Sequence, residues 1–194
     1  MKKLLLIAAG IALIAASCNK SAPGDNTNQN PPENTEQNST YSYAPYGFEF
    51  NYGADWQFTS PAYANLEEKI VQVQLPQSTY PGTNFGDAAF TVSAGTAATL
   101  DECLQLNSAD TAGFNTVQEI NGTTYTKAET SEAAAGNLYE SRIFRTLRGN
   151  TCIEVLQTIH TGNIGNYEPG TVTQVNKDTV WEELNKVLAT FKFN

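Results

Sequence analysis

Alternating apolar and polar positions predict that the first half of the chain is a meander of short β-strands. Phe48, Phe50 and Tyr52 alternate with polar or small residues, which is the period of a strand with one buried face. The same pattern, bounded by residues typical of turns, predicts further strands at 56–58, 70–75 and 89–92. A short helix is predicted behind Thr99, where apolar residues fall at helical spacing and acidic residues occupy the first turn.

The second half is predicted to contain two β-hairpins and a closing helix. The Asn121-Gly122 pair is the strongest short-range signal for a hairpin turn. Strands are predicted around it and beyond it at 114–120, 123–129, 138–147 and 152–161. From Asp178 to Leu188 apolar residues recur at helical spacing, so an amphipathic helix precedes the final Phe-Lys-Phe segment.

This order of elements predicts an α+β fold in which helices cover an antiparallel β-sheet. The run 46–56, an aromatic strand followed by a turn and Trp56, resembles the opening signature of the PsbP/Mog1-like superfamily. The segment 180–193, a helix leading into a short strand, is similar to the end of that domain. The resemblance implies an α/β/α sandwich, and it departs from the family at Tyr52, where proline is common. Members have diverse roles, so it implies a fold and not an activity.

The N-terminal segment predicts export. Two lysines precede the uncharged apolar run 4–16, as in a signal peptide. At about 1.5 Å per residue this run spans roughly 20 Å, which is shorter than the ~30 Å hydrocarbon core of a bilayer. The sequence Ala-Ala-Ser-Cys at 15–18 resembles the lipobox of bacterial lipoproteins. That resemblance implies acylation of Cys18 with diacylglycerol and a fatty acid such as palmitate. Alternatively, an ordinary signal peptidase cuts nearby and Cys18 is a spare thiol.

The predicted organisation has three parts. Residues 1–17 are a lipoprotein signal peptide, and residues 18–42 are the lipidated cysteine with a flexible tether. The tether contains Asn, Pro, Ser, Thr and Gln and too few apolar residues to form a core. Residues 43–194 form a single globular domain. We expect the protein in the bacterial cell envelope, anchored to the lipid bilayer through Cys18 and facing the periplasm or the cell exterior.

The charge of the chain argues against nucleic-acid binding. The sequence has 11 Lys and Arg against 20 Asp and Glu, a net charge of −9. Removal of the signal peptide with Lys2 and Lys3 leaves nine basic residues and a net charge of −11. Such a surface repels phosphate backbones and anionic head groups.

The remaining cysteines, Cys103 and Cys152, predict a disulfide bond. An even pair in an exported protein favours a structural bridge, with two buried free thiols as the alternative. One histidine and two distant cysteines are too few ligands for a zinc site, so no metal is predicted. We expect no cofactor.

The sequence contains no catalytic motif, so an enzyme is not expected. The polar segment after the last predicted strand of the sheet is a candidate ligand-binding loop. Its candidate residues are His160, Asn163, Asn166, Tyr167 and Glu168. The alternative is a plain strand-to-helix connection rich in turn formers.

Two functions remain open. The first is a non-enzymatic, membrane-anchored module that binds an envelope protein or supports assembly of a complex. The second is an extracytoplasmic small-ligand or metal-binding protein that uses the 160–170 loop. A polar cleft beside His160 would favour the second function, and a flat apolar patch would favour the first.

Overall fold

A computed structural model of the chain describes residues 38–107 and 113–194. The predicted signal peptide, Cys18 and the tether up to residue 37 lie outside the described residues. Within the described ranges, no helix has both the length and the apolar character needed to cross a membrane.

Ten strands and two α-helices make up the fold in the described ranges. The first half contains β1 (Ser39–Tyr43), β2 (Phe48–Tyr52), β3 (Gln57–Thr59), β4 (Glu68–Leu75), β5 (Phe85–Thr96) and α1 (Leu100–Gln105). The second half contains β6 (Thr116–Ile120), β7 (Thr123–Ala134), β8 (Asn137–Arg148), β9 (Thr151–Gly162), α2 (Lys177–Leu188) and β10 (Lys192–Phe193). The predicted elements are all present, and the α+β class is confirmed.

The strands form two antiparallel sheets. The main sheet has seven strands in the order β3-β4-β5-β9-β8-β7-β6, and the small sheet has the order β1-β2-β10. The long strands β5, β8 and β9 lie side by side at the centre of the main sheet. Their side chains alternate between two faces, which are called the first face and the second face below.

The first face carries the main apolar core. The buried face of α2, with Val180, Leu184 and Val187, packs against it. The small sheet completes the cover, with the Phe50 ring 5.0 Å from that of Phe90 between ring centroids. The amphipathic pattern predicted for the last helix is therefore used to close this core.

One predicted boundary is corrected. The tether was expected to extend to residue 42, but Ser39–Tyr43 is a strand that pairs with β2. Tyr41 lies on this strand with its ring centroid 5.3 Å from that of Phe50. The strand escapes a hydrophobicity criterion because its largest apolar surfaces belong to two tyrosines, and its other residues are serine and threonine.

The second face is polar and has a thinner cover. It carries Glu154, Leu156 and Thr158 from β9, and the six-residue helix α1 lies over one end of it beside β8. A sandwich with helices on both faces was implied by the resemblance, and the two faces are in fact covered unequally. The segment 60–66 provides further cover, since its backbone at Tyr63 and Asn65 bonds to Gln72 and to Glu154.

A disulfide between Cys103 and Cys152 ties α1 to β9, as predicted. The two Cα atoms are 5.2 Å apart, and both cysteines are fully buried. Helix α1 begins with a capping box. The Thr99 hydroxyl accepts from the backbone N–H of Glu102, and the Glu102 carboxylate accepts from the backbone N–H of Thr99. The cap and the bridge together fix the position of α1 on the second face.

Candidate functional site

A cavity of about 310 Å³ opens on the second face of the main sheet. Its floor is formed by two cross-strand pairs of β8 and β9. Ile143 lies opposite Leu156, and Ser141 lies opposite Thr158. The two hydroxyl oxygens of the second pair are 3.0 Å apart and share a hydrogen bond. The floor is therefore half apolar and half hydroxylated.

Aromatic side chains from three separate segments form the walls of the cavity. Tyr63 comes from the segment before β4, Phe114 from the segment before β6, and Tyr139 from β8. The rings of Tyr63 and Tyr139 lie 6.3 Å apart between centroids. Asn65 and Asn107 also line the cavity, and the Asn107 side-chain amide donates to the Asn65 carbonyl at 2.9 Å.

A buried ion pair closes one end of the cavity. The Arg145 side chain is 2% exposed and donates through Nε and Nη2 to Glu154 Oε2, at 2.8 Å each. Its Nη1 donates to the carbonyl oxygens of Cys103 and Leu106, at 2.9 and 2.8 Å. The guanidinium also lies 5.1 Å from the centre of the Phe114 ring. All three nitrogens of this arginine are thus engaged by the protein itself.

A hydrogen-bonded chain runs behind the tyrosine walls. The Tyr63 hydroxyl donates to Asp87 Oδ1 at 3.0 Å, and Asp87 Oδ2 lies 3.1 Å from His160 Nδ1. The other ring nitrogen of His160 lies 2.9 Å from Asn137 Oδ1. Burial, together with the Asp87 carboxylate, raises the pKa of Tyr63, so its hydroxyl stays protonated and donates. The imidazole stacks on Tyr139 with centroids 4.6 Å apart. His160 therefore orients a wall of the cavity.

Gly86 provides the space that the His160 ring occupies. It lies at an irregularity in the pairing of β5 with β9, and a Cβ built on it would be 2.5 Å from His160 Nδ1. We expect Gly86→Ala to displace the imidazole and to lower the free energy of unfolding by about 1 to 3 kcal/mol. The NMR signals of the single histidine would lose the ring-current shift caused by Tyr139.

Gly53→Ala is the matched control for this prediction. A Cβ at Gly53 would meet Trp56 at 3.5 Å, which is an ordinary van der Waals contact. We expect the control to leave the histidine signals unchanged. An unperturbed histidine spectrum in Gly86→Ala would contradict the account of how the ring is held.

The other predicted loop residues lie in the turn after β9, and the two asparagines bond to turn residues. Asn163 accepts from the backbone of Gly165, and Asn166 donates to the carbonyl of Gly136 at 3.2 Å. The Tyr167 hydroxyl lies against Gly162, and Glu168 is exposed. The cavity lining in the described part of the chain includes none of the five predicted candidates, although His160 reaches it through Tyr139.

The residues that do line the cavity escaped the sequence analysis. A usable signal was present in β9, where the polar residues Glu154 and Thr158 lie four positions apart, and so on one face, in a strand rich in apolar residues. Such a polar pair indicates a face that is not simple core. The walls gave no comparable signal, because Tyr63 and Phe114 lie in irregular segments far apart in sequence.

Metal ligands are not gathered at this site. Among the residues that the structure describes, no three His, Cys, Asp or Glu side chains lie together in a way that could hold a metal ion.

Comparison with known proteins finds similar solved structures but no match in sequence to a family or to a curated protein. No family model matches the chain, and no curated protein matches it. A crystal structure from Bacteroides thetaiotaomicron VPI-5482 matches with a TM-score of 0.51 and 18% identity over 81% of this chain. This chain spans about half of that protein, 49% of its length. The likeness shows a shared fold and nothing further.

A second neighbour is the solution structure of cyanobacterial PsbP (CyanoP) from Synechocystis sp. PCC 6803. It matches with a TM-score of 0.44 and 15% identity, over 86% of this chain and 98% of that chain. A PsbP protein is thus among the structural neighbours, as the resemblance at 46–56 and 180–193 predicted.

Proposed function

We propose that the protein is a lipid-anchored, non-catalytic binding protein of the bacterial envelope that takes a small ligand into the cavity on the second face. The observation that carries this proposal is the cavity itself. Its aromatic walls, its partly apolar floor and its few directional polar groups are the features of small-molecule sites. It lies beside His160, where a polar cleft favours a small-ligand role over docking to a flat surface.

The surface gives less support to the alternative of an apolar protein-docking patch. The exposed large hydrophobic residues in the described ranges lie on four different elements or turns. They are Phe58, Leu100, Val117, Ile164 and Tyr167. Single exposed apolar side chains are ordinary on soluble proteins, whereas docking surfaces are contiguous.

The proposal of a non-catalytic role rests on the environment of the only histidine. Both ring nitrogens of His160 lie within hydrogen-bond distance of oxygen atoms of Asp87 and Asn137. A general base has to reach the proton that it abstracts, with a ring nitrogen turned toward the reacting group. Here both ring nitrogens contact side chains of the neighbouring strands β5 and β8 instead.

A ligand-observed NMR screen of small polar and aromatic fragments tests the proposal. Thr130→Trp places an indole on β7 at the cavity lining, and Thr124→Trp places one on the same strand away from it. We expect fragments that bind the wild type to lose their signal with Thr130→Trp and to keep it with Thr124→Trp. The proposal fails if no fragment binds, or if the two variants behave alike.

Membrane anchoring is proposed on the lipobox sequence that ends at Cys18. We expect the wild type in the membrane fraction and Cys18→Ser in the soluble envelope fraction or the medium, because the thiol accepts the diacylglycerol. Two or more acyl chains give stable anchoring, whereas a protein without them is released. Intact mass of the mature wild type should include the lipid. An unmodified Cys18 in that measurement would exclude the anchor.

A further inference from the structure

We infer that the ligand of the cavity is a neutral, polyhydroxylated molecule of the size of a mono- or disaccharide, an inference that rests on the proposed small-ligand role. Three properties of the lining carry it: the balance of charge, the kind of polar groups, and the aromatic walls.

Charge disfavours an anionic ligand. The described lining contains one cation, Arg145, and one carboxylate, Glu132. The guanidinium already donates to Glu154 and to backbone carbonyls, so it has no free pair of N–H groups to donate to an anion. The protein as a whole carries 20 acidic residues against 11 basic ones, which repels anions at long range.

Charge also disfavours a cationic ligand at the aromatic walls. The Arg145 guanidinium lies 5.1 Å from the Phe114 ring, and a ligand cation near that ring would meet a like charge. The Arg145 charge is already balanced by Glu154, and Glu132 is engaged by another group as well, so neither offers a ligand a free charge.

The polar groups that remain are neutral. Thr130, Ser141 and Thr158 supply hydroxyls, and Asn65 and Asn107 supply amides. Each of these groups can both donate and accept, which is also true of every hydroxyl of a sugar. The Ser141 and Thr158 hydroxyls bond to each other at 3.0 Å, and each keeps further capacity for a ligand.

The apolar part of the lining matches the other surface of such a ligand. A sugar ring presents C–H groups on its faces and hydroxyls around its edge. Tyr63, Phe114 and Tyr139 offer aromatic surface for the faces, beside the Ile143 and Leu156 floor. A mixed cavity of about 310 Å³ thus provides contact for both surfaces at once.

A matched panel of saccharides tests the inference, with binding measured by saturation-transfer NMR and calorimetry. The neutral members are glucose, galactose, mannose, N-acetylglucosamine and maltose, and the charged analogues are glucuronate and glucosamine. We expect at least one neutral sugar to bind with a Kd of about 1 mM or below, and each charged analogue to bind at least about tenfold more weakly.

Two cavity variants and one control test whether the sugar binds in the cavity. Thr130→Trp and Tyr139→Ala should weaken it by about tenfold or more, while Tyr167→Ala, on the loop after β9, should leave it unchanged. Circular dichroism of Tyr139→Ala checks that the variant is folded, and Thr130→Trp keeps the test valid if it is not.

Two results would overturn the inference. One is tighter binding of glucuronate or glucosamine than of any neutral sugar. The other is no binding of any neutral sugar at about 10 mM, while fragments still compete for the cavity, which leaves the small-ligand role intact. If neither fragments nor sugars bind, the proposed function fails as well.

Discussion

Arg145→Ala is expected to lower the free energy of unfolding by about 3 to 5 kcal/mol, because it leaves Glu154 as an uncompensated buried charge. Glu154 is fully buried and receives two charged hydrogen bonds from this arginine. The carbonyl oxygens of Cys103 and Leu106 lose their donor at the same time. Urea unfolding followed by tryptophan fluorescence measures the change.

Two companion variants separate this effect from ordinary surface electrostatics. Lys192→Ala breaks the exposed pair with Glu49 and should leave the stability nearly unchanged, because water and salt screen such a pair. The double variant Arg145→Met with Glu154→Leu removes both charges and should recover much of the loss. A single Arg145→Ala variant as stable as the Lys192→Ala variant would show that the pair is not buried.

Reduction of the Cys103–Cys152 disulfide is expected to lower the free energy of unfolding by about 4 kcal/mol in the loop-entropy model. The bridge closes a loop with a sequence separation of 49 residues. It also holds α1, whose last carbonyls receive the Arg145 guanidinium. Urea unfolding with and without a phosphine reductant measures the loss.

The Cys103→Ala, Cys152→Ala double variant is the control, since it lacks the bridge under both conditions. Its stability should not change on reduction and should resemble that of the reduced wild type. Identical midpoints for the oxidised and reduced wild type would contradict the expected role of the bridge.

Most of the fold was predictable because its signals are local. The period-two pattern of β2 and the Asn121-Gly122 turn are set by neighbouring residues, and both are confirmed. The disulfide followed from the number of cysteines and the expected compartment. Strand β1 was missed because its apolar contacts come from tyrosines that alternate with serine and threonine, in a segment that follows a polar tether.

The candidate site was less predictable because its parts meet only in the folded chain. Tyr63 and Tyr139 are neighbours in space although 76 positions separate them in the sequence. The sequence identified His160 as unusual, but its partner Asp87 lies 73 residues away and depends on the pairing of β5 with β9. The loop residues Asn163 and Asn166 are polar for a local reason, since they bond to the turns around them.

Arg145 and Glu154 show what a more careful sequence analysis could have found. Both are charged residues within long strands, Arg145 directly after Phe144 and Glu154 between Ile153 and Val155. They lie nine residues apart across one predicted hairpin turn, so the register places them opposite each other. A charged pair at such positions indicates a buried ion pair, and with it a face of the sheet that differs from the core.

Methyl-labelled NMR tests the central claim, a ligand cavity on the second face, most directly. Ile143 and Leu156 form its floor, Leu184 lies in the α2 core, and Ile164 lies in the loop after β9. Titration with the best-binding compound should shift the methyl signals of Ile143 and Leu156 and leave those of Leu184 and Ile164 in place. A shift at Ile164 with Ile143 unchanged would place the ligand on the loop and contradict the account.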